Sequence, residues 1–184
     1  MRRYTQASTW LVGSLAAVMF TAALAAEGPT GYRSAEFGMS HQEVMARLAA
    51  DGVSEVEVHE TAEGDLLVDG ALQVPNEPVT DLRYVFPDGS DQLALVVAFH
   101  PEVAQRERII EELAAEYGEP WKEEMAAWWF EQLAGGMPET PQSLEVWGGE
   151  GQGTSQRGRF VRLWTFDDYL SVEYLDTQGF RLEP

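Results

Sequence analysis

The sequence contains no cysteine. Disulfide staples, thiolate nucleophiles and cysteine-based metal sites are therefore excluded, and the hydrophobic core alone must hold the fold. Basic residues are scarce: 12 Lys and Arg stand against 31 Asp and Glu, for a formal net charge of −19, and Lys122 is the single lysine. A surface of that sign repels nucleic acid and anionic lipid, so neither is an expected partner. Histidine is limited to His41, His59 and His100. They are far apart and show no HxxxH or HxH spacing, so no metal site is assigned. Neither a GxSxG elbow nor an SxxK motif occurs, and a serine hydrolase lacks its usual signature.

The longest apolar stretch is also too short for one common role. It runs from Leu11 to Leu24, follows Arg2-Arg3, and leads into Ala23-Leu24-Ala25 and then Ala26-Glu27-Gly28-Pro29. A membrane-spanning helix needs about 20 apolar residues. A basic start, a short apolar core and a small-x-small site instead define a secretory signal peptide, residues 1–25, cleaved after Ala25. Tyr4, Thr5 and Gln6 do not extend the arginine pair into a twin-arginine signal, so general secretion is expected. With no cysteine to acylate, the product is expected free in the periplasm or secreted, without a stable membrane anchor. Cleavage removes two of the 12 basic residues and none of the 31 acidic ones, leaving 10 against 31, a net charge of −21. Such acidity fits a basic partner or halophilic adaptation, and adaptation to salt is the plainer reading.

The remaining 159 residues make one domain. A flexible leader is expected over 26–35 and the domain over 36–184. Ser40 followed by Glu43 is a capping box ahead of Val44, Met45 and Leu48, which predicts a helix from about His41 to Ala50. Edge-type strands follow in two or three short pieces between Val53 and Val74. The segments Leu82 to Phe86 and Leu93 to Phe99, joined by Pro87-Asp88-Gly89-Ser90-Asp91, read as a hairpin. Its second strand is apolar on both faces, which places it centrally. A second helix follows Pro101, with Val103, Ile110, Leu113, Ala114 and Tyr117 as its apolar stripe and Gly118 as its stop. A third, aromatic-rich helix spans Trp121 to Leu133. Ser143–Trp147, Arg159–Phe166 and Tyr169–Leu175 form a closing meander. The order predicts an α+β fold, an antiparallel sheet with two or three helices packed on one face.

The segment from Gly149 to Ser155 invites a phosphate-loop reading, but it runs from strand to strand, where no helix N-terminus meets the anion. Asp88, Asp91 and Asp167-Asp168 fall in hairpin turns, where Asp bonds local backbone, and lack the calcium-loop pattern. No catalytic, cofactor-binding or metal-binding residue is assigned. In the third helix Trp121, Met125, Trp128, Trp129 and Leu133 fall in one arc and are expected to pack on the sheet, whereas Phe130 points the other way. Phe130, Trp121, Trp128 and Trp129 are the candidate partner contacts, with Phe130 as the exposed anchor.

The string Phe37-Gly38-Met39-Ser40-x-x-Glu43-Val44 resembles the FGM[ST]xx[QE]V helix start of small exported α+β modules, the β-lactamase-inhibitor-like proteins and the SmpA/OmlA-type lipoproteins. Leu113-xxx-Tyr117-Gly118-xx-Pro120 is similar to an LxxxYGxP ending in related exported proteins. The chain lacks the acylated cysteine of the lipoproteins and the cysteine pairs of the inhibitors. The resemblance implies a non-catalytic binding protein, with another envelope protein as partner and no cofactor. The alternatives are a hydrolase with two carboxylates brought together in space, and a carrier of a small apolar ligand.

Overall fold

The computed structural model describes residues 28–149 and 157–180. The expected signal peptide, residues 1–25, lies outside them, as do residues 150–155 of the glycine-rich loop. The expected leader is ordered into structure from Gly28. Gly31–Tyr32 (β1) pairs with Ala35–Glu36 (β2) in a small hairpin, and Ala35 is fully buried. Arg33 turns the chain at φ 54°.

Seven further strands form one sheet, antiparallel throughout: Val53–Glu60 (β3), Leu66–Leu72 (β4), Thr80–Phe86 (β5), Leu95–His100 (β6), Ser143–Gly148 (β7), Arg159–Thr165 (β8) and Leu170–Asp176 (β9). Their order is β3-β4-β5-β6-β9-β8-β7. The chain lays down four strands as a meander, crosses by helices to the far edge, and returns by a second meander that ends beside β6. The apolar β6 is thus the middle strand, as its sequence requires. β3 is an edge strand, but β4 is not. It runs unbroken through Asp69-Gly70, where the missing side chain leaves room for Val53.

Three α-helices accompany the sheet: His41–Leu48 (α1), Arg106–Tyr117 (α2) and Glu123–Leu133 (α3). Ser40 caps α1 as expected. Its hydroxyl accepts from Glu43 N at 3.4 Å, and Ser40 N donates to Glu43 Oε2 at 2.9 Å. α2 starts later than its sequence stripe, after a 3₁₀ turn over Val103–Gln105, and ends at Gly118 with φ 80°. Its buried residues are Ile109, Leu113 and Tyr117, with Ile110 only half-buried.

Strand pairing fixes the two faces. Val68, Tyr84, Val96, Tyr174 and Val161 lie directly opposite one another across five strands. On this face they pack with Val44 and Leu48 of α1 and with Ile109, Leu113 and Tyr117 of α2. Leu144, Val146 and Trp164 point to the other face and pack with Ala126 of α3. The core contacts thus set α1 and α2 with one face and α3 with the opposite face, at the β7 edge. β9 is buried on both sides: Leu170 and Val172 are in the main core, and Ser171 on the reverse, between Phe99 of β6 and Trp164 of β8, is 5% exposed. Its alternation of apolar and polar residues, which promised one solvated face, records the polar partners of Glu173 and not water.

Candidate functional site

The four aromatic candidates occupy α3 and the residues before it. Trp121 precedes the helix and is tied to the β7 edge twice, by its backbone N–H to Val146 O at 2.7 Å and by its indole N–H to Gly148 O at 2.9 Å. Those bonds satisfy carbonyl acceptors at a sheet edge that would otherwise be open. Trp121, Trp129 and Phe160 of β8 form a compact triad with ring centroids 4.9 to 5.6 Å apart. The guanidinium of Arg162 lies 5.9 Å from the Trp129 ring centre and 6.0 Å from that of Trp164, within cation–π range. Glu173 holds that arginine from β9 at 2.7 Å and accepts from Trp164 Nε1 at 2.9 Å. A side chain at Gly149 would run into Phe160, so the start of the glycine loop serves this packing.

The orientation of α3 differs from the expected one. Phe130 packs into this layer, 6.2 Å from Trp164, while Trp128 is 60% exposed and Met125 44%. The small residue Ala126, 6% exposed, sits at the centre of the contact with the sheet. Side chains recur about every 100° around a helix, which puts Phe130 and Leu133 beside Ala126 and carries Trp128 about 200° away, straight outward. A helix packs closest where its residues are small, so the apolar stripe is centred on an alanine and not on the tryptophans. The spacing Ala126, Phe130, Leu133 (i, i+4, i+7) carried that signal.

The crest of α3 therefore presents Trp128 and Met125, one turn apart, flanked by the exposed Glu124 and Glu131. Beside it, between α3 and β7, lies a groove of about 350 Å³ lined by Phe130, Ala127, Glu123 and Glu145. Burial pushes the Glu145 carboxyl above its ordinary value, and Arg106 of α2, paired with it, opposes that shift. Arg106 also donates to Thr165 Oγ1 at 3.2 Å, while Glu145 Oε2 is buried without a hydrogen-bond partner.

Two of the aspartates singled out in the sequence, Asp91 and Asp167, tie their turns to distant parts of the chain and not, as expected, to local backbone. Asp91 accepts from the backbone and from Nδ1 of His41, the latter at 2.5 Å, and those bonds lower its pKa. Glu43 is lowered by its bonds to Ser40. Both line a cleft of about 910 Å³ over the Pro87–Gln92 turn, together with Asp88. Asp167 accepts from Gln142. His59 lies 3.7 Å from Asp69, and His100 lies 3.5 Å from Thr80 Oγ1. No group of three metal-ligating side chains occurs among the described residues. Nor, among them, is any helix long and apolar enough to cross a membrane.

Compared with protein-family models, with curated proteins and with solved structures, the chain matches none.

Proposed function

We propose that this protein is an exported, non-catalytic domain that binds another protein of the cell envelope, and that the crest of α3 is its contact surface. The observation that carries this reading is the exposure of Trp128, at 60%, beside Met125, at 44%, on a helix whose other aromatics are packed away. Tryptophan is the residue type most concentrated in binding hot spots, and an exposed one next to a second large apolar side chain is worth most when a partner removes both from water. The Glu124 and Glu131 rim and the net charge of −21 after cleavage select a partner with an apolar pocket bordered by Lys or Arg, and speed its approach. The apolar start at residues 11–24 and the exported-module helix start at Phe37 to Val44 support export and the binding role.

The hydrolase reading calls for two facing carboxylates with raised pKa values. Glu145 is raised, but its neighbour is the cation of Arg106, the geometry of a structural ion pair.

The test compares wild type with Trp128→Ala, both immobilised, for capture of envelope proteins, with thermal melts to verify the fold. An envelope protein held by wild type and lost by the folded variant, at a salt concentration that suppresses general charge binding, supports the reading. Identical capture by the two would remove α3 as the contact surface.

A further inference from the structure

A second site lies on the opposite side of the molecule, where the β1–β2 hairpin, the end of α2 and strand β9 meet. Tyr32 from the hairpin, Tyr117 from α2 and Tyr174 from β9 line a cleft of about 550 Å³, with Glu116 and Arg33 at its rim. The rings of Tyr32 and Tyr174 stand 4.9 Å apart, tilted by 43°. None of these tyrosines is needed by the α3 surface, which lies across the sheet.

We propose that this tyrosine cleft binds a small organic cation of the quaternary-ammonium class. Aromatic rings carry negative faces, and several of them converging beside a carboxylate form the cage that recognises such cations. Three features of the cleft point the same way. Its walls come from three separate elements, each of which contributes one tyrosine. Its α2 side is acidic: burial is the main cause that disfavours ionisation of Tyr174 and Tyr117, and Glu116, joined by Glu112 at Tyr174, adds to it, whereas the one cation of the rim, Arg33, stands on the Tyr32 side. Finally, Tyr32 already receives a cation, since the guanidinium of Arg33 lies 5.8 Å from its ring centre. That contact is local, one residue along the chain and held in a left-handed turn, and it leaves the cleft between Tyr32 and Tyr117 for a ligand. A quaternary ammonium suits the cleft better than sodium, because its hydration is weak and its apolar surface gains from burial against rings.

The experiment titrates the protein with tetramethylammonium and with choline, followed by NMR, against sodium at equal ionic strength. Saturable shifts confined to the signals of Tyr32, Tyr117, Tyr174 and Glu116, absent with sodium, are expected. Tyr32→Phe keeps the ring and should bind as wild type, while Tyr32→Ala should weaken binding about tenfold. Glu116→Gln, at an exposed position, weakens it with the fold untouched. Shifts spread over the acidic surface, equal shifts with sodium, or undiminished binding by Tyr32→Ala and Glu116→Gln would overturn the proposal. Trp128→Ala leaves this titration unchanged, so the two sites are tested separately.

Discussion

Phe130 lies against Trp164, ring centres 6.2 Å apart and planes 39° from parallel, on the sheet face opposite the main core. That contact makes α3 a second-layer element of the fold, held by Phe130, Trp129 and Leu133 around Ala126. Phe130→Glu puts a charge into this layer and removes the ring. It is expected to cost at least about 3 kcal/mol, read as a lowered denaturation midpoint. Trp128→Glu, one turn face away, should shift stability by no more than about 0.5 kcal/mol. Equal effects from the two substitutions would mean that the helix is rotated from the orientation described.

Ser40 and Glu43 form a reciprocal cap at the start of α1. Ser40→Ala removes the acceptor for the Glu43 N–H and is expected to destabilise the fold by about 1 kcal/mol. Ser40→Asp, which restores an acceptor and favours the helix dipole, should recover most of it. Chemical denaturation of the three proteins decides this, and an alanine variant as stable as wild type would show that the cap is redundant.

Local signals were the legible ones. The Ser40 and Glu43 pair, the Pro87 to Asp91 turn and Gly118 act through their own backbone neighbourhoods, so α1, the β5–β6 hairpin and the end of α2 follow from short stretches of chain. The doubly apolar β6 likewise announced its central place. What depends on the partner across the sheet was hidden. Nothing near Gly31 signals that β1 and β2 fold back as a hairpin, because two-residue strands have no pattern of their own and gain their stability from packing. The face chosen by α3 was also out of reach, since Trp121, Trp128 and Trp129 outweigh Ala126 in any hydrophobic count, whereas close approach to Leu144, Val146 and Trp164 favours the smaller residue. The tyrosine cleft joins residues 32, 117 and 174, and no spacing in the sequence relates them.

His100, at the end of β6, titrates below the ordinary histidine value because burial disfavours its charged form and Arg108 repels it, against weaker support from Gln105, Glu112 and Glu77. In the unfolded chain the imidazole takes its proton near pH 6.5. As pH falls through that value the unfolded state binds more protons than the folded one, so this residue's contribution to stability is present above about pH 6.5 and is lost below it. Denaturation midpoints between pH 8 and 5 are therefore expected to fall, and His100→Asn should flatten that fall. A variant with the same slope as wild type would assign the acid sensitivity to other groups.

The charge balance gives the last prediction. Twelve basic residues against 31 acidic ones leave a net charge of −19 on the chain, and several of the cations are already committed: Arg83 to Asp69 at 2.7 Å, Arg159 to Asp176 at 2.8 Å, and Arg162 to Glu173. The excess acids stand at the surface, among them Glu55, Glu57 and Glu60 along the edge strand β3. Like charges there repel one another in the compact state more than in the expanded one, and mobile ions screen that repulsion over a Debye length of about 10 Å at 0.1 M salt. The melting temperature should therefore rise with NaCl from low to high concentration. The chloride and sulfate salts of sodium, compared at equal ionic strength, separate screening from the general exclusion effect of sulfate, which strengthens apolar burial in any protein. If screening governs, the gain saturates once the Debye length falls below the spacing of neighbouring carboxylates. A melting temperature independent of chloride would show the acids to be compensated locally, and the acidity would then be explained by a basic partner at surfaces such as the α3 crest and not by adaptation to salt.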